Sequence, residues 1–296
     1  MSRTPIRYWD RVAKELRSEK VYGDAAVRWL YETRIGGWVA HWLLSQRWIS
    51  KITGFLQSTA WSRRRIPGFV ENFEIPMEEF EEVRYGSFND FFCRRFRPQV
   101  RPFVESATAF PAFAEGRYLA FEAWSPQQTF PVKGKDLAAN ALLGAAADEF
   151  VGGPVLIARL CPTDYHRFHF PDAGSVIRSY RVGGRLHSVN PLALRARSDI
   201  FVTNERRVTI LETANFGKLA YVEVGAMSVG KIVQTHTGGP FARGDEKGYF
   251  LFGGSTVIVL GEPGAWQPDA DLLEKSSIMV ETLVRVGERV ARAQTV

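Results

Sequence analysis

Between residues 29 and 56 apolar side chains return mostly every three or four positions, at Ile35, Trp38, Val39, Trp42, Leu43, Ile49, Ile52, Phe55 and Leu56. That spacing predicts a pair of amphipathic helices. Pro67 and Gly68 end the pattern, and short helices are expected over residues 77–83 and 88–96. From Phe110 onward β-branched and aromatic runs over 118–123, 155–160, 175–182, 207–212, 218–224, 231–235 and 256–260 alternate with glycine and proline, the texture of strands and turns. Two more helices are expected, over 137–150 and over 269–283 before a last strand. The fold class is therefore α+β, with a helical segment over 1–66 followed by a mainly β domain over 67–296.

Composition narrows the setting. A chain of 296 residues, 45% hydrophobic, can bury one large core plus a smaller helical appendage. Gly36, Gly37, His41, Ser45, Gln46, Arg47 and Lys51 interrupt the apolar run well short of the roughly 20 residues a membrane span needs. Its tryptophans, with Arg47, Lys51 and Arg63 to Arg65, instead suit shallow burial at a lipid interface. The excess of 38 basic over 32 acidic residues favours an anionic partner such as a phospholipid surface. No nucleic-acid module accompanies it, so nucleic acid is not an expected partner. Cys93 and Cys161 lack a disulfide framework and point to a reducing compartment, and no signal peptide is read at the start.

Candidate chemistry gathers in two places. Gly253-Gly254-Ser255-Thr256 precedes the apolar run Val257-Ile258-Val259-Leu260, putting a serine at a turn where glycine allows unusual backbone shapes. By itself this reads as a hairpin turn. The same geometry also lets Ser255 Oγ attack the carbonyl of Gly254, giving an ester that breaks by β-elimination and leaves a pyruvoyl terminus. Residues 161–171 hold two of the five histidines, His166 and His169, in a proline-bounded loop suited to proton transfer near neutral pH. Without carboxylate or cysteine partners nearby, His-x-x-His is a weak metal signal, and no metal is expected.

Ser87-Phe88-Asn89-Asp90-Phe91-Phe92-Cys93-Arg94-Arg95, Asp164-Tyr165-His166-Arg167-Phe168-His169, Leu186-His187-Ser188-Val189-Asn190-Pro191 and the Gly-Gly-Ser-Thr block resemble, in order and spacing, the phosphatidylserine decarboxylase proenzymes. Glu281-Thr282-Leu283-Val284-Arg285-Val286-Gly287-Glu288 extends the match, which runs from about residue 80 to the C-terminus. The resemblance implies self-cleavage between Gly254 and Ser255, giving two chains that stay together, and a covalent pyruvoyl cofactor derived from Ser255. It implies phosphatidylserine as substrate, phosphatidylethanolamine as product, peripheral attachment to an anionic membrane on its cytoplasmic face, and a homodimer as one assembly. It assigns activation of Ser255 to His169 with an acidic partner, and substrate-side proton handling to His166; these two roles are exchangeable at this level. The family's acidic motif carries aspartate where this chain has Glu115, one methylene longer, so slowed or absent processing is a further expectation. His187 stands where many relatives have phenylalanine.

Two other readings remain. An unprocessed relative would serve as a lipid-binding protein, and a serine hydrolase would use Ser255, His169 and Glu115 as nucleophile, base and orienting acid. The absence of a Gly-x-Ser-x-Gly elbow lowers the second.

Overall fold

A computed structural model describes residues 5–20, 29–30, 33–40, 42, 45–124, 142–189, 193–194, 199–226, 232–253 and 255–294. Near the start, β1 (Arg7–Asp10) and β2 (Glu15–Ser18) form an antiparallel hairpin where the sequence suggested a helical segment. Tyr8 and Trp9 favour an extended chain. The Asp10 carboxylate accepts the N–H groups of Val12 and Ala13, and Lys14 turns the chain with φ 55°.

The amphipathic pattern becomes α1 (Arg34–Val39), capped by Thr33, and α2 (Arg47–Gln57). Next comes α3 (Ile66–Phe73), with Pro67 in its first turn. The acidic stretch after it makes only one helical turn, Met77–Glu79, because Phe80 leaves to bridge Phe96. That bridge also stops α4 (Phe88–Phe92), which Ser87 caps by accepting the Asp90 N–H. The helix expected over 137–150 is reduced, within the described residues, to short turns such as Gly144–Ala146 and Asp148–Phe150; its beginning lies outside them.

The seven strands read from the sequence between residues 118 and 260 all form, and further strands appear beside them, one of which, Arg167–His169, lies inside the stretch expected as a loop over 161–171. After β3 (Ala109–Pro111) come β4 (Gly116–Phe121), β5 (Val155–Leu160), β6 (Arg167–His169) and β7 (Gly174–Val182). A short α5 (Ile200–Thr203) leads to β8 (Arg206–Thr213) and β9 (Lys218–Val224). Then follow β10 (Ile232–Gln234), β11 (Pro240–Phe241), β12 (Glu246–Phe250), β13 (Ser255–Gly261) and β14 (Trp266–Pro268). The last helix, α6 (Ala270–Ser277), stops short of its expected end because Met279 turns with φ 58°, and β15 (Glu281–Val284) and β16 (Arg289–Ala293) close the chain.

Ten strands make the main sheet, in the order β11-β7-β8-β9-β13-β5-β4-β15-β1-β2. The N-terminal hairpin joins it through a parallel pairing of β1 with β15; the other pairings in the sheet are antiparallel. The strand β13 sits centrally between β5 and β9, and its whole length is buried. Two three-stranded sheets, β10-β12-β6 and β14-β16-β3, pack beside it. The main core joins Phe168 and Phe250 of the first small sheet to Tyr221 and Val257. A second cluster gathers Phe69, Phe80, Phe88, Phe91, Phe92, Tyr165 and Phe252 around α4.

One charge pair lies inside the layer between the sheets. Lys247 Nζ donates to Glu223, to Thr209 Oγ1 at 3.0 Å and to Gln234 Oε1 at 2.8 Å, with both charged side chains buried. Removing one partner strands the other charge. Lys247→Ala should therefore lower unfolding stability by about 3–5 kcal/mol, whereas Lys247→Met with Glu223→Leu should recover most of it. Denaturant titration reads both, and equal losses in the single and double variants would contradict the argument.

Candidate active site

Ser255 opens β13 in register with Leu160 at the end of β5. Its Oγ is sealed from solvent and has no hydrogen-bond partner, as is also true of the neighbouring Thr256 Oγ1. Buried hydroxyls are normally paired, so an orphan at this position is itself a signal. Just before it, Gly253 takes φ 142°, a conformation that favours glycine. Gly254 lies outside the described residues.

The turn after β5 delivers His166. The Asp164 carboxylate accepts the Cys161 N–H at 2.7 Å and pairs with Arg117, fixing the turn. Arg94, 2% exposed and stacked over Phe80 and Phe91, donates to the carbonyls of Thr163 at 2.7 Å and Asp164 at 3.2 Å. The same Asp164 carbonyl stands 3.0 Å from His166 Nδ1. A carbonyl can only accept, so Nδ1 carries the proton and Nε2 keeps its lone pair. This Nε2 is buried and has no hydrogen-bond partner. The imidazole packs on Phe92 with ring centroids 3.8 Å apart. Burial pushes its pKa down to about 3, so it is neutral throughout the physiological range.

His169 follows on β6 with the same tautomer logic. Its Nδ1 donates to the Gly244 carbonyl at 2.9 Å, leaving Nε2 as the basic nitrogen, 3.2 Å from Tyr165 Oη. Burial lowers its pKa as well. Glu115 is held elsewhere: Arg101 grips its two oxygens at 2.7 and 3.1 Å, and the Val286 N–H reaches Oε2 at 3.3 Å. Burial raises the Glu115 pKa against the pull of Arg101. Arg101 in turn lies over Phe96, which packs on Tyr165, the partner of His169. Glu115 and His169 are thus connected through Arg101, Phe96 and Tyr165, without a direct hydrogen bond between them.

Sequence reasoning named Ser255, His166, His169 and Glu115 but gave no role to Arg94, Asp164 or Tyr165. The first sits inside the Phe-Phe-Cys-Arg-Arg block, and the other two precede His166 directly. Their roles depend on backbone carbonyls and ring stacking that no spacing encodes. His187 is buried, and Asn204 clamps its backbone from both sides at 2.8 Å. Both cysteines are buried and free, and burial pushes the Cys93 thiol up to about 12. Among the described residues no three histidine, cysteine or acidic side chains converge as a metal site.

The family model described as "Phosphatidylserine decarboxylase" matches residues 88–292. A "Phosphatidylserine decarboxylase proenzyme" of Chlamydia felis is 39% identical over 293 residues, spanning 97% of this chain and 98% of its own. Its namesake in Desulfitobacterium hafniense is 37% identical over 290 residues, spanning 96% and 97%. Likeness therefore extends through the N-terminal hairpin and helices, beyond the stretch from about residue 80 that the motifs covered. With the motif order, the buried serine and near full-length identity in agreement, this chain belongs to the phosphatidylserine decarboxylase family.

Proposed function

We propose that the chain is a proenzyme that cuts itself between Gly254 and Ser255 and then decarboxylates phosphatidylserine to phosphatidylethanolamine. The observation that carries this reading is Ser255 Oγ, buried and unpartnered beside a glycine turn. A hydroxyl without competing hydrogen bonds is free to add to the carbonyl on its N-terminal side. The C–N bond then breaks as the ester forms, β-elimination releases the Gly254 carboxylate, and water displaces ammonia from the new terminus. A buried Ser255 with an unpartnered hydroxyl, and a buried His166 whose Nε2 is also unpartnered, are compatible with the resulting pyruvoyl group. When formed, the group supplies a carbonyl that accepts the electrons left on Cα as carbon dioxide departs.

The protein's own groups divide the remaining work. His169, with a basic Nε2 in a hydrogen bond that Tyr165 can exchange, activates Ser255, and Glu115 orients it through Arg101 and Tyr165. His166 moves a proton at the substrate carbon. Dividing the chain into a membrane-facing segment over 1–66 and a catalytic domain over 67–296 follows the same reading, with the β1–β2 hairpin as the part of the first that braces the second.

The substrate lies in a membrane, and the helical segment is suited to reach it. Trp48, Ile52 and Phe55 on α2, with Ile35 and Trp38 on α1 and Trp61 beyond, are all more than half exposed. Arg63 to Arg65 and Lys51 lie close by in sequence. No helix among the described residues is long and apolar enough to cross a bilayer. Interfacial burial of the aromatic groups, with the cations on anionic head groups, is the arrangement these side chains favour, on the cytoplasmic face.

Intact mass spectrometry of purified protein should give two fragments, the shorter lighter by one ammonia than a serine-ended peptide. Ser255→Ala and His169→Ala should stay full-length, and His166→Ala should cut yet fail to release carbon dioxide. An uncut, active native chain would falsify the mechanism.

Acid should weaken the fold by a route that runs through His166. A buried imidazole with a folded pKa of about 3 and an unfolded value of about 6.5 adds stability that is present above pH 6.5 and is lost as pH falls through that window. The melting temperature of the uncleaved Ser255→Ala chain should fall from about pH 7 to 5, with a shallower slope once His166→Asn is added; unchanged slopes would refute the assignment.

Sedimentation with vesicles tests the lipid contact. Vesicles containing phosphatidylserine should pull the protein down at low salt, purely zwitterionic ones should do so less, and Phe55→Ser with Trp61→Ser should weaken binding about tenfold or more. Equal recovery of native and variant protein would exclude this face.

A further inference from the structure

Asn89, 4% exposed in the middle of α4, joins two parts of the molecule that share no strand or helix. Its Oδ1 accepts the N–H of Phe252 at 2.8 Å. Its Nδ2 donates to the Gly54 carbonyl at 3.2 Å and to Ser58 Oγ at 2.8 Å. Gly54 lies in the last turns of α2 and Ser58 is its C-cap, so the amide bonds to the helix that presents Trp48, Ile52 and Phe55 to solvent. Phe252 lies in the irregular stretch between β12 and β13, two residues before the Gly254 carbonyl. Phe252 belongs to neither flanking ladder and is 7% exposed. The Asn89 side chain therefore satisfies a buried donor that strand pairing leaves over.

The rest of α4 reinforces the same bracket. Its first residue, Phe88, donates its N–H to Ser62 Oγ at 2.9 Å, and its C-cap, Cys93, donates Sγ–H to the Phe250 carbonyl at 3.3 Å. Phe88 and Phe92 meet the Phe252 ring edge-on at 5.2 Å. The backbone on the upstream side of the cleavage bond is thus held at Phe250 and Phe252, while β13 holds the downstream side at Ser255.

We propose that Asn89 is a positioning residue for self-cleavage, fixing the upstream backbone at Phe252 relative to Ser255, and that it ties this alignment to the lipid-facing helix α2. The proposal rests on the self-cleavage reading above. Attack on a neighbouring carbonyl needs near-contact alignment, and a displacement of about 1 Å can slow such a step about a hundredfold. A side-chain amide with donors toward α2 and an acceptor toward Phe252 meets both requirements.

The test is the time course of cleavage in freshly purified precursor, read by intact mass alongside the melting temperature. Asn89→Ala removes both ends of the link and should cut about 10- to 100-fold more slowly while folded. Asn89→Asp keeps an oxygen facing the Phe252 N–H and should recover most of the rate even if its melting temperature drops like that of the alanine variant. Ser58→Ala leaves α4 untouched and should slow cleavage about two- to fivefold, which keeps the question open to measurement if Asn89→Ala does not fold. Leu272→Ala, a core truncation on α6, should lower the melting temperature without slowing cleavage, separating alignment from general stability. A native chain that stays whole sinks the underlying reading. A native chain that cuts while folded Asn89→Ala cuts equally fast, or while Asn89→Asp is as slow as alanine, sinks this proposal alone, and a native rate in Ser58→Ala removes the tie to α2.

Discussion

Leaving a hydroxyl buried without a hydrogen bond costs about 1–3 kcal/mol, and the fold sustains that cost at Ser255, as it does at the neighbouring Thr256. The strand β13 makes this possible. Paired on both sides, by β5 and β9, it brings Ser255 to a buried strand end whose backbone position is set by two ladders. The preceding residues cannot continue the ladder, since Gly253 turns away, and they are instead caught by side chains of α4.

The charges around this point are kept satisfied while the proton-handling groups are kept neutral. Burial alone would raise the Glu19 pKa, but Arg159 and Arg117 outweigh it and bring it down to about 2. Arg117 also holds Asp164, and Arg159 holds Glu281, so the ion network spans the N-terminal region, the His166 turn and β15. His166 and His169, by contrast, are desolvated, each with Nδ1 donating to a carbonyl and with its pKa lowered by burial. Strong ion pairs fix the turn, and neutral imidazoles stay ready to accept protons.

How much of this the sequence displayed depends on the kind of interaction. Strands such as Val155–Leu160 and Lys218–Val224 were legible to the residue, because alternating or continuous β-branched runs between glycines reflect local propensity and burial together. The hairpin Arg7–Ser18 was not, since its strands are mostly exposed and depend on β15, far along the chain, for pairing. Ser255, His166 and His169 stood out because the Gly-Gly-Ser-Thr and Asp-Tyr-His-Arg-Phe-His blocks fall in a recognisable order, with two of the five histidines in four positions. The clamp of Arg101 on Glu115 and the bonds of Asn89 were invisible, because each joins residues whose proximity only the folded chain creates. Glu115 illustrates the limit well: the carboxylate position was legible, but its partner was not.

Cutting before Ser255, as proposed, would separate residues 255–296 covalently, yet those residues supply β13, β14, α6, β15 and β16. Of these, β13 lies between β5 and β9, β15 between β4 and β1, and β16 pairs with β3, so strands from residues 1–254 flank the fragment repeatedly. Arg11 adds ion pairs to Asp269 and Asp271 across the same boundary. Breaking one peptide bond therefore removes none of the ladders that hold the fragment. The N-terminal hairpin gains a purpose from this geometry: by pairing β1 with β15 it covers an edge of the fragment that would otherwise be exposed, and an unpaired edge is a route to strand exchange. Retention of the fragment after the proposed cut is then a result of this topology, with that cut lying where the sheet ends and the side-chain bracket begins.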